Sequence, residues 1–128
     1  MRTLTIPWGT IHCHRNLGNA EFVPRTVWMR VGDIKKLRVE FEMASAMANA
    51  GVEFAFQLAN DQGEAPTTFI AKGGAQTANG MKYTNVEDIS GDLGNKIWIR
   101  FGFKAWNTSE DNTLVCAAAG GTIELMNC

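Results

Sequence analysis

Ile97-Trp98-Ile99-Arg100-Phe101-Gly102-Phe103-Lys104-Ala105-Trp106 alternates without a break. Ile97, Ile99, Phe101, Phe103 and Ala105 share one parity. Trp98, Arg100, Gly102, Lys104 and Trp106 share the other. Successive side chains of a strand point to opposite faces, so this stretch is a strand with one face in a core.

The same period continues on both sides of it. In 35–43, Leu37, Val39, Phe41 and Met43 face inward, and Lys36, Arg38, Glu40 and Glu42 face outward. In 52–59, Val52, Phe54, Phe56 and Leu58 face inward, and Glu53, Ala55, Gln57 and Ala59 face outward. Ala48-Asn49-Ala50-Gly51 between them reads as a hairpin turn, since Asn and Gly tolerate tight turns. A two-residue loop at Asn49-Ala50 sets Met43 opposite Phe56 and Phe41 opposite Leu58. The inward sets then agree, and a slip of one residue would bury the charges instead. A short alanine-rich helix over 43–50 is the rival, but a helix that short gains little from propensity alone.

Shorter strands are expected at 3–8, 10–14, 26–31, 67–71, 81–86, 114–118 and 122–126. Turn chemistry separates them: Asn60-Asp61-Gln62-Gly63, Gly73-Gly74, Asn79-Gly80, Ser90-Gly91-Asp92-Leu93-Gly94-Asn95 and Gly120-Gly121. The expected fold is an all-β, antiparallel sandwich of about nine or ten strands, with the jelly roll among the arrangements it allows. No repeat or linker divides the chain, so residues 1–128 are expected to form one domain.

Composition narrows the function. The chain has 128 residues, 45% hydrophobic and 20% charged, with a net charge of −1. That size and composition suit a globular domain that folds without a metal or disulfide. Near-zero charge argues against nucleic acid, whose binding needs excess Lys and Arg. No stretch has the length and apolarity of a signal peptide or membrane span, so cytoplasmic synthesis without a membrane partner is expected. Cys13, Cys116 and Cys128 match no metal spacing and are expected to be reduced structural thiols.

Candidate chemistry is sparse. His12 and His14 share one strand face and could contribute two zinc ligands, but no third ligand accompanies them, so no metal or other cofactor is expected. Glu40, Glu42 and Glu53 project from one polar face, yet no two stand opposed as a glycosidase pair requires. Asp88, Asp92 and Asn95, like Asp61 and Glu64, have oxygen ligands that calcium accepts but not the spacing of a calcium loop, and are read as turns. No phosphate-cradling glycine loop is present, and no catalytic residue is assigned.

The tryptophans stand out instead. Trp98 and Trp106 fall on the polar parity with Arg100 and Lys104 between them. Val27, Met29 and Val31 form an apolar parity, which leaves Trp28 and Arg30 on the other face. Trp and Arg are the residues most enriched at binding hot spots. Trp28, Arg30, Trp98, Arg100, Lys104 and Trp106 are therefore the expected interface or ligand face, for a protein partner or for sugar rings stacked on the indoles, unless loops of the chain itself cover them.

Lys96-Ile97-Trp98-Ile99-Arg100-Phe101-Gly102-Phe103, the polar turn 107–112 and the strand Gly121-Thr122-Ile123-Glu124-Leu125 together resemble the C-terminal strands of small β-sandwich accessory proteins of tailed-phage virions. More distantly they resemble carbohydrate-binding modules. The likeness covers the last third of the chain and carries no diagnostic motif. It implies a non-catalytic virion component, a capsid decoration, neck or tail subunit, that contacts itself or capsid or tail proteins and is assembled in the host cytoplasm. A carbohydrate-binding sandwich is the alternative it allows.

Overall fold

A computed structural model describes residues 3–7, 11–13, 17–46, 50–61, 64–72, 82–107 and 116–127, with side chains at 22–42, 52–61, 64–72, 84–104 and 121–127. Its strands are β1 (Thr3–Pro7), β2 (Ile11–Cys13), β3 (Leu17–Pro24), β4 (Met29–Arg30), β5 (Lys36–Ala46), β6 (Ala50–Ala59), β7 (Ile70–Ala71), β8 (Lys82–Asp88), β9 (Trp98–Asn107) and β10 (Cys116–Met126). Trp8, His14, Cys128 and the turns at 62–63, 73–74 and 79–80 lie outside the described residues, as does most of the turn at 107–112.

The pairings nest. β1 pairs with β10, β3 with β9, β5 with β8 and β6 with β7, all antiparallel. This is one long hairpin whose tip lies between β6 and β7. Folding it over brings β10 against β5 and β9 against β6. Two sheets result: β1-β10-β5-β8 with β2 also on β10 (sheet A), and β3-β9-β6-β7 with β4 also on β9 (sheet B). That winding is a jelly roll.

The core lies between the sheets and is drawn from the parities read in the sequence. Leu37, Val39, Val52, Phe54, Phe56, Ile99, Phe101, Phe103 and Ile123 are wholly buried. Phe41 of sheet A meets Phe103 of sheet B edge-on, with centroids 4.9 Å apart, while Phe54 stacks beside Phe101 at 6.3 Å. Each such ring contributes about 1.5–3 kcal/mol by leaving water. Val31, Ile34, Ile89 and Leu93, from the connections, complete the same cluster.

Several expectations are overturned. β5 and β6 are not hairpin partners: β5 pairs with β10 and β8, and β6 with β9 and β7. Matching inward parities are equally satisfied when two strands face each other across a core, which is what occurs here. Phe41 therefore stands beside Gly121 and Tyr83, and Phe56 beside Phe101 and Ile70. The strand form of β5 to Ala46 excludes the helix over 43–50. Gly120-Gly121 is not a turn, because the strands expected at 114–118 and 122–126 are one strand, β10, bulged between Ala119 and Gly121. Gly121 takes φ +112°, and a Cβ there would fall on the Glu40 carbonyl, 2.7 Å from Phe41 Cα.

β3 was not foreseen, for its sequence LGNAEFVP has no alternation, and its register against β9 shifts between Leu17 and Glu21. The expected strand at 26–31 shrinks to Met29–Arg30, leaving Val27 80% exposed rather than inward. The chain bends there, with both Arg25 N–H and Thr26 N–H donating to the Phe101 carbonyl. Ile97 likewise precedes its strand and is exposed.

Candidate interaction face

The outer face of sheet B is built from large residues on β9 set opposite small or complementary ones on β6. Trp98 faces Ala59, Arg100 faces Gln57, Gly102 faces Ala55, Lys104 faces Glu53 and Trp106 faces Gly51. Directly opposed residues on one face of a sheet are its unit of side-chain packing. The β6 side of this face was expected to be solvated, yet Ala55 and Ala59 are fully buried and Gln57 is 4% exposed.

Arg100 organises the cover. Its guanidinium lies 4.7 Å from the Trp28 ring centre and 5.7 Å from that of Phe22. Its Nε donates to Gln57 Oε1 at 2.7 Å. Gln57 Nε2 in turn donates to the Pro66 carbonyl at 3.3 Å, and Phe69 stacks on Phe22 at 5.8 Å. The segment 64–69, at the tip of the folded hairpin, is thus fastened onto the sheet. Burial lowers the Arg100 pKa from its ordinary value by desolvation, though a guanidinium stays cationic at any physiological pH.

Trp98 forms a second pair. Arg30, its register partner on β4, lies 5.4 Å from the indole centre and is itself exposed. Lys104 Nζ stands 3.9 Å from Glu53 Oε1. The structure therefore brings Trp28 to Arg100 and Trp98 to Arg30. Trp106 stands at the far end of β9 opposite Gly51, with its side chain outside the description. Sequence reasoning missed Phe22, Gln57 and Phe69; the signal available was Ala55 and Ala59 on a supposedly wet parity.

The outer face of sheet A differs. Lys36, Arg38, Glu40 and Glu42 alternate along β5, with Glu124 and Thr122 opposite Arg38 and Glu40 on β10. The Arg38–Glu40 bridge, 3.2 Å, is 51% and 41% exposed, a pairing worth about 0–1 kcal/mol.

The other candidates occupy ordinary turns. Asp88 Oδ1 accepts from Ser90 N–H at 2.9 Å and Ser90 Oγ–H at 2.6 Å, whereas Asp92 pairs with Lys72 at 2.7 Å. The two carboxylates thus serve different partners. Glu64 N–H donates to the Asp61 carbonyl. Glu40 and Glu42 stand on sheet A and Glu53 on sheet B, so the three do not share one polar face. His12 stands opposite Ala117. Among the described residues no three His, Cys, Asp or Glu converge, and no helix is long and apolar enough to cross a membrane.

No family model matches the chain, and no curated protein matches it by sequence. Solved structures do match it by shape. That of infectious bursal disease virus, Gx strain, superposes with TM-score 0.62 at 11% identity over 98% of this chain and 32% of its own. The VP2 subviral particle of the same virus gives TM-score 0.60 at 13% identity over 97% of this chain and 31% of its own. The T13 particle of that virus gives 0.61, 12%, 98% and 31%. These are viral capsid proteins. This chain spans about a third of their length, and what it shares with them is the antiparallel β-sandwich fold.

Proposed function

We propose that this chain is a non-catalytic structural subunit of a virion, in the phage setting a capsid-decorating, neck or tail accessory protein, acting through protein–protein contacts of sheet B's outer face. The carrying observation is where apolar surface is left over. Val27, Val86 and Ile97 are the exposed large hydrophobics among the described residues, and two of them, Val27 and Ile97, adjoin Trp28 and Trp98. Leftover apolar surface beside Trp/Arg pairs is the composition of a docking face. The fold shared with capsid proteins supports the same reading, and the balanced charge favours protein over nucleic acid as partner. On this reading the protein is assembled in the host cytoplasm and resides in the virion, contacting copies of itself or capsid or tail proteins.

A sugar platform needs open indole faces. Arg100 and Arg30 each cover one face of Trp28 and Trp98, which favours the protein partner.

The test uses exposed positions, where a charge leaves the fold intact. The wild-type chain should self-associate in light scattering or bind particles encoded by its own genome. Val27→Asp and Ile97→Asp should each weaken that association at least about tenfold, the loss of a hot-spot contact, with unchanged circular dichroism and melting. A wild-type chain that stays monomeric at high concentration and ignores those particles sinks the proposal. Glycan-array binding that disappears in Trp98→Ala would replace it with the carbohydrate reading.

A further inference from the structure

Cys13, the last residue of β2, stands in register opposite Cys116, the first residue of β10. The placement follows from the outermost pairing of the fold. β1 meets β10 with Pro7 opposite Thr122, and β2 meets it with Ile11 opposite Ala118. Partner numbers sum to 129 in both ladders, so β2 continues the register of β1 without a slip. On its other edge β10 is held by β5, with Cys116 opposite Ala46.

Directly opposed residues of an antiparallel pair have Cα atoms about 4.5 or 5.5 Å apart, depending on the hydrogen-bonding position. Both values fall within the span of about 4.4–6.8 Å that a disulfide bridges. We propose that Cys13 and Cys116 are a redox-sensitive staple, open in a reducing compartment and closed as an intrachain disulfide in an oxidising one. Glutathione disulfide suffices as oxidant. One cysteine thiolate attacks it, forming a mixed disulfide and releasing one glutathione; the second cysteine attacks that mixed disulfide and releases the other. Two protein thiols lose two electrons and two protons, and one glutathione disulfide becomes two glutathione molecules. Cys128 is the odd thiol left over.

The staple would tie β2 to the last strand, β10, and so enclose β3 through β9 in one loop. Cross-links that close long loops remove the most freedom from the unfolded chain. The expected rise in melting temperature is about 10 °C.

The test is oxidation of the folded chain by glutathione disulfide against a sample held in reduced glutathione. Titratable thiols should fall from three to one, peptide mapping should recover a linked pair containing Cys13 and Cys116, and melting should rise. Cys13→Ser and Cys116→Ser should each abolish the shift, and Cys128→Ser should preserve it. Three persisting thiols, a link involving Cys128, or only interchain dimers would overturn the proposal. The mapping on the wild-type chain decides the matter even if a serine variant fails to fold, and its outcome is independent of the proposed virion role.

Discussion

Arg100→Met should destabilise the protein by about 3 kcal/mol, and Gln57→Leu should recover part of that loss when combined with it. Arg100 Nε–H to Gln57 Oε1, at 2.7 Å, is a hydrogen bond to a charged group, worth about 1.5–3 kcal/mol. The contacts with Trp28 and Phe22 add about 0.5–1 kcal/mol each at a partly exposed site. Methionine keeps some of the stem's packing on both rings but offers no donor. Gln57 is 4% exposed, so in the single variant its Oε1 is left buried and unsatisfied. Gln57→Leu alone also loses the bond to the Pro66 carbonyl, at about 2 kcal/mol for the two bonds together. Removing both partners takes away the orphaned acceptor, because two apolar groups of matching shape are nearly neutral where one unpaired polar atom is costly.

The double variant should therefore fall short of additivity by about 1.5 kcal/mol, as contacting residues do. Urea unfolding followed by tryptophan fluorescence reads this directly. With a slope of about 2 kcal/mol per molar, Arg100→Met moves the midpoint down by about 1.5 M. Additive losses within about 0.3 kcal/mol, the agreement expected of independent sites, would refute the view that Arg100 and Gln57 seal the outer face as one unit.

Other expectations follow from single features. A Cβ at Gly102 would fall on the Val23 carbonyl and 2.9 Å from Pro24 Cα. Gly102→Ala should therefore push β3 off β9 at about 3 kcal/mol, in the upper range for overpacking, whereas Gly91→Ala, with nothing within 4 Å, should leave the urea midpoint within about 0.3 M. Phe54→Ala, at a fully buried ring, should cost about 3–5 kcal/mol by thermal or urea unfolding. The Asp88 carboxyl is held below its ordinary value by the Ser90 hydroxyl first and the Ser90 N–H next, with Lys36 and Lys72 assisting. A depressed folded pKa contributes stability above the unfolded value and loses it as pH falls through the folded one. Ser90→Ala should raise the Asp88 pKa in an NMR titration and flatten that acid limb; an unmoved titration curve would contradict the cause assigned.

How much of this was legible is clearest strand by strand. Ile99, Phe101 and Phe103 declared the core because alternation over a long strand has no competing explanation, and β5 and β6 followed for the same reason. Their partners were not legible. Parity says which face a strand buries but not which edge it offers, so β5 and β6 looked like neighbours when they are opposite walls. β3 lacked the signal altogether: Gly18, Asn19 and Pro24 are poor strand residues, in a strand whose pairing with β9 runs over Glu21 to Pro24 and at Leu17. Gly120-Gly121 misled because a bulge and a turn both use glycine, and only the partner strand distinguishes them. The tryptophan face was legible as an anomaly, but nothing in the sequence shows that Pro66 and Phe69 cap its Trp28–Arg100 half. The opposition of Cys13 and Cys116 was invisible, since 102 intervening residues must first wind into the nested hairpin.

The winding also explains why the two outer faces are unequal. A nested hairpin has one tip, here the connection between β6 and β7, and that tip has to fold onto one sheet only. It lies over sheet B, where Pro66 accepts from Gln57 and Phe69 stacks on Phe22. On the outer face of sheet A the alternating charges of β5 include the exposed Arg38–Glu40 pair. On sheet B the described contacts of the tip run to Gln57 and Phe22. At the start of β9 Trp98 carries the exposed Arg30 over its ring and stands opposite Ala59, and Ile97 before it is exposed. On the proposed reading a partner therefore seats at Trp98, Arg30 and Ile97 rather than at Arg100, whose guanidinium is already engaged by Gln57, Trp28 and Phe22.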